Sequence, residues 1–420
     1  MSTDEYQYQQ LPELYDVSYV NGYEDEQLKV YKFNSPSDVY DIISYFLEIK
    51  SSNDHFYIVD IKKILEKYNL WMKELPFILP FYAIKSNPDP MILKLLSSMG
   101  CGFDCASKSE IIEAISYVDH DKIIYANPCK EITQIQFARQ KKVDLLTFDS
   151  EAELHKIKIH HPKAKLVMRL KVDDSGSVCQ FSTKFGCDPD EAKTLLNLIN
   201  VLELNLVGVS FHIGSNCGKP GYYKKALENA RKVFDMAKAD FGFELNLLDI
   251  GGGFPGYDSQ TQLEFSQIAS EIRESVDTIF GDIKDKVTFI AEPGRFFCTT
   301  SHTLVCNIIG LKKKVNKKTG EKQYQYTINE GLYGSFSAIK FDYANPNIKP
   351  FSGRDQTDLY PSIIFGPTCD SLDKLSENAM LPEMTIGDWC FVENFGAYTR
   401  ASSTNFNGFT PGKVYYVLID

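Results

Sequence analysis

Between Pro80 and Glu292 short apolar runs alternate with helical patterns eight times over, which leaves few architectures open to the chain. The runs fall near residues 80–84, 101–104, 122–126, 143–148, 165–171, 204–211, 245–250 and 287–292, most of them bounded by turn or helix-start residues. Continuous apolarity suits parallel strands buried on both faces. The stretches between them read as helices. Met91, Leu95, Leu96 and Met99 share one face and stop at Gly100, and Tyr223, Ala226, Leu227, Ala230, Phe234 and Ala237 do the same before Gly242. Eight strand–helix units predict a closed (β/α)8 barrel of the TIM type.

At 420 residues the chain is longer than a barrel of about 250 residues requires, so a second domain is expected. Its grammar is different. Gln323-Tyr324-Gln325-Tyr326-Thr327, Pro361-Ser362-Ile363-Ile364-Phe365 and Lys413-Val414-Tyr415-Tyr416-Val417-Leu418 are β-rich and separated by Gly, Pro and Asn turns, which predicts an all-β domain. Residues 12–50, with one helix after Ser35-Pro36, are assigned to it. The expected division is therefore a barrel over 51–300 and a β-domain built from 12–50 and 301–420. Lys312-Lys313-Lys314 and Lys317-Lys318, ahead of Thr319-Gly320, read as a solvated hairpin tip.

Apolar residues make up 43% and charged residues 24%, as in an ordinary globular protein. A net charge of −11 argues against nucleic acid or anionic lipid as partner, because binding to phosphate by counterion release needs a basic face. No apolar run is long enough to span a bilayer, and the first residues carry neither a basic leader nor an apolar core. Ten cysteines without C-x-x-C pairs fit free thiols in a reducing compartment, so the expected location is cytoplasmic. No metal site is expected: His160-His161 and the Cys101/Cys105 pair have no partners at ligand spacing, and a helix end and buried thiols account for them.

The chemistry gathers at strand ends. Phe81-Tyr82-Ala83-Ile84-Lys85 ends the first strand in an amine, at the face where such barrels expose catalytic groups. Gly251-Gly252-Gly253-Phe254-Pro255-Gly256 follows the seventh and formally satisfies the dinucleotide fingerprint G-x-G-x-x-G. The context excludes that use: Pro255 precedes the last glycine, and the next helical pattern starts only near Thr261. Backbone N–H groups cradling a single phosphate, or an ordinary glycine turn, remain. The eighth strand ends Glu292-Pro293-Gly294-Arg295, which offers a carboxylate and a bidentate phosphate donor, or else a surface ion pair. Together with Lys85 and the glycine turn these supply an amine, a phosphate site and an acid, the three functions that pyridoxal 5′-phosphate (PLP) needs. His212, before Ile213-Gly214-Ser215, ends strand six and suits stacking on a cofactor ring, with Ser215 as another phosphate donor. Asp104 ends strand two and is placed to steer Lys85 or the histidine, whereas Ser107 and Glu110 fit a helix capping box.

Phe81-Tyr82-Ala83-Ile84-Lys85, Gly102-Phe103-Asp104, His212-Ile213-Gly214-Ser215, Gly251-Gly252-Gly253-Phe254 and Glu292-Pro293-Gly294-Arg295 together resemble the PLP-dependent basic amino-acid decarboxylases, and the eukaryotic ornithine-cleaving members most closely, over nearly the whole chain. The resemblance implies a PLP enzyme converting L-ornithine to putrescine and CO2, the entry to polyamine biosynthesis. It implies Lys85 as the Schiff-base lysine, Glu292 as the partner of the ring nitrogen and His212 as a catalytic ring neighbour. Around the cofactor it sets Asp104, Arg169 and Ser215, the loop residues Gly252, Gly253, Pro293, Gly294 and Arg295, and Tyr398 from Glu393-Asn394-Phe395-Gly396-Ala397-Tyr398.

Gly366-Pro367-Thr368-Cys369-Asp370-Ser371-Leu372-Asp373 resembles the family segment that enters the active site of the other subunit of a homodimer. By that likeness Cys369 donates the proton to the substrate carbon, Asp370 and Asp342 hold the distal ammonium, and Phe406 forms an aromatic wall. Lys184 and Asp373 match positions that pair between subunits. Phe341 stands where animal members carry Tyr, so one hydroxyl contact is missing. Relatives acting on lysine, arginine or diaminopimelate are the alternatives in substrate, although the last carry Glu after the cysteine. An alanine-racemase-like enzyme would share the barrel but lack the Cys369-Asp370 segment. A non-catalytic regulator is the alternative in class, and an antizyme-like protein is a further partner the family suggests. Such regulators lose cofactor residues, whereas Lys85, Asp104, His212, Arg295 and Cys369 are all present here.

Overall fold

The computed structural model describes residues 7–10, 17–21, 28–33, 38–315, 317, 320–352, 355 and 357–419. The chain divides into two compact units, Lys67–Phe297 and Met1–Glu66 with Cys298–Asp420.

In the first unit the strands Ile78–Ala83, Gly102–Cys105, Ile123–Tyr125, Leu145–Phe148, Lys165–Leu170, Asn205–Phe211, Leu247–Asp249 and Thr288–Ala291 close into a barrel. Every neighbouring pair is parallel, and each strand overlaps the run expected for it. Phe81, Ile124, Val167, Leu247 and Ile290 pack together in the apolar core. The register then decides which polar residues meet: Asp104 lies beside Ala83, and Ser210 lies between Arg169 and Asp249.

Local signals fix the helices. Asp89 accepts the Met91 N–H at 2.9 Å and opens the helix Pro90–Ser98, with Pro90 in the first turn where its missing N–H costs nothing. The helix Tyr222–Phe241 ends at Gly242, whose φ of 71° only glycine adopts without strain. Trp71 is fully buried, donates from Nε1 to the Ile78 carbonyl at 2.9 Å, and meets Phe254 edge-on at 4.9 Å. It thereby backs the loop that follows the glycine turn. Trp71→Ala is expected to destabilise this unit by about 3–5 kcal/mol, the usual cost of emptying a large aromatic site. Urea unfolding checks this, and a change below about 1 kcal/mol would deny the residue that role.

The second unit is an eleven-stranded sheet. Its main path runs Gln7–Gln10, Val17–Asn21, Val30–Phe33, Lys413–Ile419, Phe56–Asp60, His302–Val315, Lys322–Ile328, Tyr360–Phe365 and Lys374–Leu381, with Trp389–Val392 and Lys349–Pro350 joined at one side. N-terminal and C-terminal segments thus share one sheet, as expected. The strand Phe56–Asp60 corrects the expected border, because it pairs with His302–Val305 and Lys413–Val417 although it lies inside the range read as barrel. All five of its residues are buried, so it has the apolar look of a barrel strand. The helix Ile61–Glu74 carries the chain from one unit to the other.

The helix expected after Ser35-Pro36 is Val39–Ile49, opened by an Asp38 capping box; Ser35 and Pro36 lie outside the described residues. The basic hairpin joins His302–Val315 to Lys322–Ile328 with Lys312, Lys313 and Lys314 near its tip, while Lys318 and Thr319 lie outside the described residues. Among the described residues no helix is long and apolar enough to cross a membrane.

Candidate active site

Lys85 sits in the single helical turn Ile84–Ser86 that follows the first barrel strand, with 40% of its side chain exposed, and its Nζ is ion-paired to Asp104 Oδ2. Asp104 is completely buried and its Oδ1 has no hydrogen-bond partner among the described residues. A partly open amine held by a buried carboxylate is placed to reach a ligand at the barrel mouth. The Pro293 carbonyl accepts the Ala83 N–H at 3.4 Å, and a Cβ on Gly294 would come within 2.8 Å of Ser86 Cβ, so the loop after strand eight closes over the lysine turn.

Two further buried carboxyls stand at the ends of strands seven and eight. Burial, followed by the Asp104 and Asp249 charges, pushes the Glu292 carboxyl well above its usual range against the opposing pull of Lys85 and Arg169. Burial likewise raises Asp249 to about 7, although its Oδ1 accepts the Gly251 N–H at 2.8 Å. Asp249 Oδ2 and the neighbouring Ser210 Oγ have no partners among the described residues. Glu292 has no ion pair of its own there either, so a cation brought by a ligand, such as a protonated ring nitrogen, would let it ionise.

His212 follows the sixth strand. Burial first, then the charges of Arg169 and Lys85, push the imidazole well below its usual value. Its Nδ1 accepts the Gly214 N–H at 3.1 Å, which assigns the remaining proton of the neutral ring to Nε2. The edge of Phe181 meets the ring at 4.9 Å. Arg169 is half-buried on strand five, with its guanidinium over Phe185 at 4.9 Å.

Three loops bring together donors suited to a phosphate. Buried Arg295 donates to Ser215 Oγ from Nε at 3.3 Å and Nη2 at 3.0 Å. The N–H groups of Gly252 and Gly253 donate to no acceptor among the described residues. Space forbids side chains there: a Cβ on Gly252 would lie 2.7 Å from the Glu292 carbonyl and 2.9 Å from His212 Nε2, and one on Gly253 would lie 2.4 Å from the Gly214 carbonyl. This turn leads through a loop to a helix that begins only at Phe265, which confirms the exclusion of the dinucleotide motif. Ser107 accepts the Glu110 N–H at 3.3 Å and Glu110 accepts that of Ala106 at 2.5 Å, so Glu110 serves the helix start, one residue away from the expected box.

In the sheet unit Cys369 is exposed and its N–H donates to Asn407 Oδ1 at 3.3 Å. Asp370 accepts from the Leu372 N–H at 2.9 Å and from the Tyr333 hydroxyl, bonds that hold its carboxyl below the usual range. Phe406 stacks on Tyr333 with centroids 4.3 Å apart. Cys369, Asp370 and Phe406 are therefore one cluster, with Tyr333 and Asn407 as members that local pattern does not mark. Buried Asp342 caps the short helix Ala338–Phe341 in a different segment, and Phe341 is 74% exposed. Tyr398, half-buried at a φ of 56°, also belongs to this unit.

Asp373 is buried. It accepts from the Leu332 N–H at 2.7 Å and from the Thr368 N–H and hydroxyl at 3.0 and 2.7 Å, which ties it to holding the Cys369 loop within its own chain. Lys184 is exposed, with its ammonium 5.0 Å from the Phe185 ring. Asp249 is the main residue missed at the barrel mouth. Its signal was the one that flagged Asp104, a carboxyl ending a strand ahead of a turn.

A barrel mouth with a lysine, donors suited to a phosphate, a neutral imidazole and a buried carboxyl fits a barrel-type PLP enzyme. Residues 61–299 match the family described as pyridoxal-dependent decarboxylase, pyridoxal binding domain. The chain is 44% identical over 385 residues to ornithine decarboxylase of Mus musculus, covering 88% of this chain and 82% of that protein. It is 42% identical over 378 residues to antizyme inhibitor 2 of Xenopus laevis, covering 87% and 80%. The arginine decarboxylase of Paramecium bursaria Chlorella virus superposes with a TM-score of 0.83 at 34% identity, covering 90% of this chain and 100% of that one. The chain belongs to the pyridoxal-dependent decarboxylase family, and PLP is its cofactor.

Proposed function

We propose that the chain decarboxylates L-ornithine to putrescine and CO2 as a cytoplasmic homodimer whose two active sites each use residues of both subunits. The observation that carries the catalytic reading is the intact barrel mouth: Lys85 paired to Asp104, with His212, Glu292 and the Arg295–Ser215 pair around it. A non-catalytic regulator, the reading favoured by the Xenopus laevis antizyme inhibitor 2 relative, has no use for that set. All ten cysteines are free thiols, in keeping with a reducing compartment.

When bound, PLP supplies an electron sink for the pair left on the substrate carbon as CO2 departs. The chain's residues do the rest. Lys85 would hold the cofactor until a substrate amine is bound, and Asp104 keeps the lysine at the mouth. Glu292 would hold the ring nitrogen protonated; Arg295, Ser215, Gly252 and Gly253 would hold the phosphate, with Tyr398 as a further contact. His212 would lie against the ring, and Arg169 would set the field around it. Asp342 from one subunit and Asp370 from the other fix the distal ammonium against Phe406, which aligns the bond to be broken. Cys369 would donate a thiol proton to the substrate carbon in the place that CO2 leaves. Its exposure within one chain supports a place in a site that the second subunit completes. Exposed Lys184 is assigned to the interface, while buried Asp373 acts there only through the Cys369 loop that it holds within its own chain, and an antizyme-like protein is a further partner of this dimer.

A shared site makes a quantitative expectation. Lys85→Ala and Cys369→Ala proteins are each inactive, but random reassortment of equal amounts restores about a quarter of wild-type ornithine decarboxylation, because half the dimers then carry one intact site of two. No recovery, with mixed dimers demonstrated by mass, would contradict the shared arrangement.

A further inference from the structure

At the N-terminal end of the barrel, opposite the mouth that carries Lys85, the strands leave a second cavity of about 530 Å³. Its floor is apolar, formed by Leu79, Phe81, Leu145, Val207, Leu247 and Ile290. Its rim is basic. Lys122, Lys142, Lys165 and Lys286 stand there with His120, against only two carboxylates, Asp121 and Asp144. All four lysines are exposed, and their ammonium groups make no ion pair, hydrogen bond or ring contact among the described residues. One of the two carboxylates has a partner of its own, since Asp144 Oδ1 lies 3.2 Å from His161 Nε2.

In barrels of this kind the N-terminal face serves stability, and stability does not explain this one. Four like charges around one opening repel one another, and Leu79 is 48% exposed on the floor, leaving apolar surface in water. Nor does composition explain it, because the rim is positive on a chain of net charge −11. A single kind of occupant removes both costs. We propose that this cavity binds a small organic anion with an apolar body, its acidic group on the lysine rim and its body on the floor between Leu79 and Val207. The volume suits this, since small-molecule sites span about 300–1,000 Å³. A free inorganic anion would leave the floor uncovered. The site lies at the other ends of the strands from Lys85 and is separate from the cofactor site.

The test uses the PLP-loaded protein and 8-anilinonaphthalene-1-sulfonate, whose fluorescence rises when its rings leave water. Saturable binding at one site per chain is expected. The charge-reversing pair Lys165→Glu with Lys286→Glu weakens it at least about tenfold, equivalent to roughly 1.4 kcal/mol. The milder pair Lys122→Gln with Lys142→Gln, and Val207→Trp, which fills the floor, weaken it independently, so the result does not hang on one variant's folding. In every variant the visible absorbance of bound PLP and the far-ultraviolet circular dichroism stay unchanged. Affinity within about twofold of wild type in all three variants would overturn the proposal. So would equal displacement of the dye by inorganic pyrophosphate, which would mark a site that reads charge alone. Preferential binding of poly-glutamate over the dye would overturn it too, assigning the rim to an acidic polypeptide.

Discussion

Lys85→Ala is expected to lower kcat for ornithine by about 10⁴-fold or more, the scale seen when a residue that bonds covalently to the reacting system is lost. The same variant loses the visible absorbance of lysine-bound PLP. Two observations make this the largest effect. The amine is half open at the strand end, where a ligand can reach it, and its partner Asp104 is wholly buried with one oxygen unpartnered. Folding should survive the change, because the lysine is exposed in a short turn and contributes little packing. Circular dichroism matching wild type, with activity gone, is therefore the expected pair of results. More than about a tenth of wild-type activity would remove Lys85 from its assigned role.

Glu292→Gln is expected to reduce kcat by about 10²-fold with little change in the KM for ornithine, since it alters the electron sink and leaves substrate contacts in place. The cause is electrostatic. Burial and two neighbouring carboxylates make the Glu292 charge costly unless a cation offsets it, the part proposed for a protonated ring nitrogen. An amide cannot compensate that charge. The cofactor-free protein gives an independent readout. Glu292 has a folded-state pKa above its unfolded value, so its contribution to stability is present at acid pH and is lost as pH rises; Asp249 behaves alike between about 4 and about 7. Glu292→Gln should flatten that loss in urea unfolding measured across pH. An unchanged kcat together with an unchanged pH profile would show the carboxyl to be a bystander.

The barrel was legible because parallel strands buried on both faces leave continuous apolar runs, and because Lys85, Asp104, His212 and Glu292 each stand where such a run stops. The glycine turn was legible for a steric reason: Gly252 and Gly253 press on the carbonyls of Glu292 and Gly214, so no other residue fits. Other features depend on register and long-range contact, which local pattern does not carry. Phe56–Asp60 reads like a barrel strand and becomes a sheet strand only through pairing with residues more than 200 positions away. Asp249 gains its meaning from lying beside Ser210 and under Glu292. Tyr333, 37 residues from Asp370 in sequence, orients that carboxylate, and Asp373 serves its own loop from a buried position. These are facts of packing.

The most direct measurement is the rate of CO2 release from carboxyl-labelled L-ornithine, L-lysine and L-arginine by the PLP-loaded wild-type protein under one set of conditions. Putrescine forming in equal amount to CO2, with kcat/KM for ornithine above that for lysine by roughly 10- to 200-fold, is the expected result, because one methylene is worth about that much in a fitted pocket. Bound PLP without CO2 release from ornithine, or a higher kcat/KM for either longer substrate, would contradict it.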